Sequence, residues 1–146
     1  MSNNIFAYGT LMLPEVVEAL TGNLFAPKVA VLNGYSRYVF KGRCYPGIIE
    51  DENGSVEGVL YTKVDDLTLS IFDWFEDVLY ERLLLTVQIE NESIQAFTYI
   101  VPKKNHKKLD KLPWSLEKFI ENYSKTYIQK CIGYKKQWEK ENIKSK

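Results

Sequence analysis

The chain has 146 residues, of which 45% are hydrophobic, so it contains enough apolar material for one domain with a substantial core. Nineteen basic residues balance nineteen acidic ones, which argues against nucleic acid or an anionic membrane as the main partner. The sequence shows no window near the roughly 20 apolar residues of a membrane span and no secretory signal, and this predicts a cytoplasmic protein.

The cysteines and the one histidine argue against several common types of active site. Cys44 and Cys131 lie far apart without a CxxC spacing, which is typical of reduced thiols and not of a disulfide or a zinc site. His106 stands in a lysine-rich stretch that predicts a solvated loop, so a histidine-based triad is not expected. The sequence also lacks GxGxxG and Walker motifs. These absences argue against zinc enzymes and against enzymes that use dinucleotides or nucleoside triphosphates.

The first predicted elements are a strand, a tight loop and a short helix. An apolar run over residues 4–8 stops at Gly9, which is typical of a strand that enters a tight loop. A helix is expected over residues 14–20, because Pro14 suits a first helical turn and Gly22 suits a helix end.

The following segment predicts β-structure interrupted by turns. Residues 25–40 are largely apolar around the turn dipeptide Asn33-Gly34, and this pattern predicts two strands. A short edge strand is expected over residues 45–50, since Pro46 cannot donate to a central ladder.

A hairpin turn, a strand and a helix are predicted next. The turn is expected at residues 51–54 and the strand at residues 56–62, where Gly58 indicates a bulge or a close approach of the backbone. Asp65 and Asp66 suit the start of a helix whose apolar residues recur at helical spacing as far as Phe75.

A second hairpin completes the predicted sheet. Residues 82–89 and 94–101 are rich in aliphatic and aromatic side chains on either side of a polar turn. The core is therefore expected to be mainly sheet with helices packed on it, which is an α+β fold.

The carboxyl-terminal part predicts one long helix that begins at Ser115 and breaks near Gly133. This helix carries a largely aromatic stripe at four-residue steps, which predicts core packing or a pocket wall. The stripe consists of Phe119, Tyr123, Tyr127 and Cys131. An interaction surface is a further interpretation, and it requires Tyr123 and Tyr127 to be exposed as one patch. We expect a single domain over residues 1–134 and a charged tail over residues 135–146.

Two segments carry groups suited to chemistry. In the first, Tyr8-Gly9-Thr10-Leu11, a strand that stops at glycine allows backbone N–H groups to form a concave array that holds an anion, although an ordinary turn gives the same pattern. In the second, Glu76 follows Asp73 by one helical turn among apolar neighbours. An inward-facing Glu76 would have a raised pKa and would serve as a general base and acid, whereas an outward-facing one would be a surface carboxylate.

Together these segments resemble the γ-glutamylcyclotransferase-like family, which includes the AIG2-like and γ-glutamylamine cyclotransferase proteins. The Tyr-Gly-Ser/Thr-Leu loop of that family is matched at residues 8–11. Its Asp-x-x-Glu and Tyr-x-Arg segment is matched by Asp73, Glu76, Tyr80 and Arg82. Weaker matches occur at Gly34-Tyr35, Tyr45-Pro46 and Val56-x-Gly58-x-Leu60-Tyr61.

The resemblance implies a small, mixed β-barrel-like sheet with packed helices and a cofactor-free transferase reaction. A γ-glutamyl amine or peptide would be cyclised to 5-oxoproline with release of the amine, and Glu76 would be the catalytic base and acid. The residues implied in substrate binding are Tyr8, Gly9, Thr10, Leu11, Tyr80 and Arg82. For Arg82 an ion pair with Asp73 is the favoured role, with contact to a substrate carboxylate as the alternative.

Two departures from the family pattern affect this interpretation. Asp77 stands where the family usually has glycine, and Gly47 where it often has alanine. Asp77 would need a left-handed conformation beside Glu76. The alternative function is therefore a non-catalytic domain that binds γ-glutamyl groups or small carboxylates. The sequence identifies neither the leaving amine nor the oligomeric state.

Overall fold

The computed structural model describes residues 2–143, which form a five-stranded sheet and four α-helices joined by loops and short 3-10 turns. The strands are β1 Ser2–Ala7, β2 Lys28–Val39, β3 Pro46–Asp65, β4 Glu81–Ile89 and β5 Glu92–Ile100. The helices are α1 Pro14–Thr21, α2 Asp66–Glu76, α3 Leu116–Asn122 and α4 Ser124–Ile143.

The sheet is a closed barrel with strand order β1-β3-β2-β4-β5, and a parallel contact between Ile5 and Phe97 joins β1 to β5. Side chains alternate along β1 as a strand requires. Phe6 and Tyr8 belong to the apolar cluster inside the barrel, while Ile5 packs in the cluster beneath α1, α2 and α4. The predicted α+β fold with a barrel-like sheet and packed helices is therefore confirmed.

Elements with strong local signals form where the sequence predicts them. The first strand and α1 agree with the prediction, and α1 ends at Gly22, whose φ of 79° is the left-handed cap that glycine favours. Strands β4 and β5 form the predicted antiparallel hairpin, from the pair Ile89/Glu92 to the pair Glu81/Ile100. Gly58 is the predicted close approach, because a β-carbon there would lie 2.4 Å from the carbonyl oxygen of Ala7.

The predicted turns inside β2 and β3 are wrong. Asn33 pairs with Ser55 and Tyr35 with Glu50, so residues 51–54 form an insertion opposite Gly34, and both strands continue across it. Gly34 has a φ of 88°, which is typical of a turn, but here it accompanies a shift in the pairing register and ends neither strand.

The predicted strand over residues 45–50 is present but longer than expected. Pro46 is the first residue of β3, which has 20 residues. The first position of a strand tolerates a residue that lacks an N–H group, and residues 46–50 form ladder pairs with β2 alone, which agrees with the expected edge position.

The predicted single carboxyl-terminal helix is wrong as well. It begins after Ser115, whose side chain caps it, but breaks at Tyr123, where φ is −133° and ψ is −21°. From Ser124 onward α4 passes through Gly133 without interruption. The predicted tail therefore begins inside a helix, and residues 144–146 lie outside the described part of the chain.

The segment that carries His106 is more ordered than the sequence indicates. It forms a 3-10 turn over Lys103–Lys108, and a ring nitrogen of the partly buried His106 lies 2.9 Å from the carbonyl oxygen of Val101. Cys44 and Cys131 are free thiols. No helix within residues 2–143 combines the length and the apolar character needed to cross a membrane.

Candidate functional site

A cavity of about 910 Å³ lies where β1, the β2–β3 loop, the end of α2 and α4 meet. Its size is in the range of small-molecule sites. Six of the residues predicted from the sequence line it: Tyr8, Gly9, Thr10, Leu11, Glu76 and Tyr80. The fold thus joins two segments that are about 70 positions apart in the chain.

The loop after β1 approaches the opposite wall closely. A β-carbon on Gly9 would lie 2.9 Å from two ring carbons of Pro46, so glycine is needed for this contact. The chain then makes a 3-10 turn in which Met12 donates to the carbonyl oxygen of Gly9 at 3.0 Å. Within residues 2–143, no backbone hydrogen bond uses the N–H groups of Thr10 and Leu11. Two donors at the start of this turn are thus available to an anion.

Tyr8 is a fixed part of the cavity wall. Its buried hydroxyl donates to the carbonyl oxygen of Tyr99, and Arg37 donates to the carbonyl oxygen of Tyr8 at 2.7 Å. Burial raises the pKa of Tyr8 well above its usual range, and the negative charge of Glu76 adds to this. Tyr8 therefore stays protonated and holds the loop in place.

Glu76 is the last residue of α2 and lines the cavity together with its neighbours Phe75 and Asp77. Within the described residues, no hydrogen bond or ion pair engages its partly buried carboxylate. Loss of water contact raises the pKa of Glu76 to about 8. Such a carboxylate exchanges a proton near neutral pH, as a general base and acid must.

Asp77 adopts an unusual backbone conformation. Its φ is 51° and its ψ is −150°, close to a region that is populated almost only by glycine. The positive φ lies in the left-handed region, as expected for this position, while the ψ lies outside the helical range. This strain occurs at the residue that follows the proposed proton carrier.

Tyr80 and Arg82 have different environments. The Tyr80 hydroxyl donates to the carbonyl oxygen of Pro46 at 2.7 Å and forms part of the wall. Arg82 does not line the cavity, because its guanidinium pairs with Asp73 at 2.9 Å and lies over the Phe97 ring. The ion pair with Asp73, which was the favoured role for Arg82, is therefore present, whereas the alternative of direct contact with substrate is not supported by the geometry.

The ion pair of Arg82 supports the cavity indirectly. Asp73 also accepts a hydrogen bond of 2.7 Å from the hydroxyl of Tyr99, which lines the cavity. Burial, with the negative charge of Asp73, raises the pKa of Tyr99 far above its usual range. Asp73 thereby connects α2 to β5 behind the cavity.

Other lining residues have little or no signal in the sequence. The aromatic residues that the sequence did not assign to a substrate site are Phe6, Tyr45, Trp74, Phe75, Tyr99, Tyr123, Tyr127 and Tyr134. Tyr45 belongs to a weaker match to the family pattern, and the predicted stripe includes Tyr123 and Tyr127. Its ends Phe119 and Cys131 are buried in the core, while Tyr127 reaches the cavity and its hydroxyl accepts from Thr10 at 3.2 Å. Since Tyr127 is partly buried, the stripe is not the single exposed patch that an interaction surface would need.

Comparison with known proteins agrees with this geometry. A family model described as "Gamma-glutamyl cyclotransferase, AIG2-like" matches residues 5–117. The chain is 34% identical over 133 residues to Protein AIG2 C of Arabidopsis thaliana, an alignment that covers 85% of this chain and 81% of that protein.

Solved structures share the fold. A second Arabidopsis thaliana protein, solved in solution, superposes with a TM-score of 0.69 at 28% identity over 97% of this chain and 85% of its own. A structure named gamma-glutamyl cyclotransferase superposes with a TM-score of 0.65 over 90% of this chain and 86% of its own. Because this cyclotransferase structure is only 19% identical to the chain, its similarity shows a shared fold alone.

Proposed function

Because the chain belongs to the gamma-glutamyl cyclotransferase, AIG2-like family, we propose that it cyclises a γ-glutamyl amine or peptide to 5-oxoproline. The α-amino nitrogen of the substrate attacks its own γ-carbonyl carbon and closes a five-membered ring. The bond from that carbon to the leaving nitrogen breaks, and the amine departs. Both reacting groups belong to one molecule, so holding it folded supplies much of the rate enhancement.

The environment of Glu76 carries this proposal. A carboxylate with no partner among the described residues and a pKa near 8 is suited to take a proton from the α-ammonium group. The same carboxyl group then returns the proton to the leaving nitrogen. Activity should therefore rise with pH up to about pH 8, because Glu76 must lose its own proton before it is able to accept one from the α-ammonium group.

The loop after β1 supplies the complementary interaction. The unused N–H groups of Thr10 and Leu11 line the same cavity as Glu76 and are able to bind a substrate carboxylate or to polarise the γ-carbonyl oxygen. Tyr8 and Tyr80 are held by hydrogen bonds to backbone carbonyl oxygens, so they shape the wall and do not move protons.

The test is turnover by Glu76→Gln with detection of 5-oxoproline. Wild-type protein should release 5-oxoproline from at least one member of a panel of γ-glutamyl amines, γ-glutamyl amino acids and glutathione. The variant should lose about a hundredfold or more in kcat and still bind substrate. Glu121→Gln, an exposed carboxylate on α3, is the matched control and should keep full activity. Undiminished turnover by Glu76→Gln would contradict the proposal.

A second candidate function is binding without catalysis, and Asp77 is the observation that favours it. Glycine usually fills this position in the family, and here a strained residue with a second carboxylate follows Glu76. A domain that binds γ-glutamyl compounds but yields no 5-oxoproline with any of them would support this alternative.

A further inference from the structure

A second cavity of about 420 Å³ lies beside the first and shares three lining residues with it, Arg43, Tyr45 and Leu79. Its other walls come from the β2–β3 loop and from the 3-10 turn at Lys103–Lys108. The site of the proposed reaction is therefore continuous with a neighbouring binding surface.

The second cavity is strongly basic. Its charged lining residues are Lys41, Arg43, Lys107 and Lys108, and no carboxylate lines it. All four side chains are exposed, and within residues 2–143 none forms an ion pair. Four cations without compensation produce a local positive potential in a chain whose net charge is zero.

Backbone contacts fix the two basic segments against each other. Lys41 donates to the carbonyl oxygen of Lys108 at 2.9 Å, and Phe40 forms a bridge with Leu109. Asp110 donates from its backbone N–H to the carbonyl oxygen of Val39 at 2.8 Å. These backbone contacts hold the two segments that carry the cations in a fixed relative position, so the basic side chains do not belong to two independent loops.

The basic cavity also lies within reach of the reacting groups. Tyr45 lines both cavities, and the charges of both Arg43 and Glu76 affect the pKa of its hydroxyl, which burial raises. Lys130, on α4, adds a further cation to the rim of the first cavity. Because Tyr45 lines both cavities, a substrate whose γ-carbonyl lies near Glu76 has the cations within the adjoining space that its leaving group is able to enter.

We propose that the basic cavity binds a carboxylate on the leaving amine, so that the preferred substrates are γ-glutamyl derivatives of acidic amino acids or acidic peptides. This inference rests on the proposed function for the position of the γ-glutamyl group. The cations select the amine, whereas Glu76 and the loop after β1 perform the reaction.

The experiment compares γ-glutamyl-glutamate with γ-glutamyl-glutamine, which differ in one carboxylate. The kcat/KM for the glutamate compound should be about tenfold higher, mainly through KM. Lys108→Gln should reduce the ratio of the two kcat/KM values about threefold, and the double variant Lys107→Gln/Lys108→Gln about tenfold, since exposed pairs contribute modestly. The preference should shrink at high salt. Lys125→Gln, an exposed cation on α4 outside both cavities, should leave the ratio unchanged.

Binding of the same two compounds to Glu76→Gln, measured by calorimetry, separates the two proposals. Turnover of both compounds with equal efficiency would overturn the basic-cavity proposal and leave the cyclisation intact. Lysine-dependent binding of γ-glutamyl-glutamate without release of 5-oxoproline by wild-type protein would support the anion site and contradict the reaction. Absence of both binding and turnover with these two compounds would overturn the basic-cavity proposal, and turnover of any other member of the γ-glutamyl panel would then leave the cyclisation intact.

Discussion

At the residue scale, the chemistry depends on a carboxylate at the end of a helix. Glu76 lies where the macrodipole of α2 disfavours negative charge, and no described residue compensates for it. Burial at this position keeps the proton on Glu76 to a pH at which an ordinary glutamate has lost it. A raised pKa of this kind also affects stability, because the unfolded chain holds its proton less tightly.

Glu76→Gln should change the pH dependence of stability. Between the ordinary glutamate pKa and about 8, folded protein retains a proton that the unfolded chain has released, so wild-type stability falls as pH rises. The variant lacks this dependence. The difference between the free energies of unfolding of the variant and of wild type should therefore increase by about 1 kcal/mol or more, in favour of the variant, as the pH rises from about 5 to about 8. Urea denaturation at several pH values measures the difference, and a constant offset would show that Glu76 has an ordinary pKa.

Asp77→Gly should stabilise the protein by about 1 kcal/mol. Glycine removes the steric cost of the observed φ and ψ, although part of the gain is lost to the greater freedom of glycine in the unfolded chain. Asp77→Ala removes the carboxylate but keeps the β-carbon, and it serves as the control. If both variants raise the melting temperature equally, repulsion between charges and not backbone strain accounts for the effect.

At the element scale, local sequence patterns predicted most helices and strands but placed some of their ends wrongly. Asn33-Gly34 and Gly133 have the composition of a turn and a helix end, yet β2 and α4 pass through both. Pairing with β3 keeps β2 continuous, and packing of Trp138 against the core continues α4 beyond its glycine. Tertiary contacts of this kind outweigh the low helix propensity of glycine, which costs about 1 kcal/mol relative to alanine.

Gly133→Ala should stabilise α4 by about 0.5–1 kcal/mol. The position is exposed, and a β-carbon there would meet no heavy atom within 4 Å, so only the helix propensity changes. Gly22→Ala is the contrasting variant, because its φ of 79° disfavours alanine and it should lower stability. Thermal unfolding of both proteins tests this, and a loss of stability in Gly133→Ala would mean that the helix breaks there.

At the scale of the whole molecule, closure of the barrel brings the site together. Strand β1 pairs with β3 on one side and β5 on the other, and this places the loop after β1 opposite the end of α2. The close approach at Gly58 is one of the contacts between β1 and β3 on which this arrangement depends.

Gly58→Ala should destabilise the protein by about 1–3 kcal/mol and reduce activity. The added β-carbon would lie 2.4 Å from the carbonyl oxygen of Ala7 and 2.7 Å from the ring of Phe6, so β1 must shift together with the loop that follows it. Glu57→Ala alters an exposed side chain on the same strand and is the control. Wild-type stability and turnover in Gly58→Ala would show that the contact is not needed.

Sequence patterns were enough to predict the family, the secondary structure of the strongest segments and the two segments that carry Glu76 and the loop after β1. These follow from short-range patterns, such as strand alternation, helix ends and motif spacing. The folded structure was needed to show that Arg82 lies outside the cavity, that tyrosines from β5 and α4 complete its wall, and that two lysine-bearing loops form a basic cavity beside it. Contacts between residues far apart in the chain set these features, and such contacts leave no local pattern in the sequence.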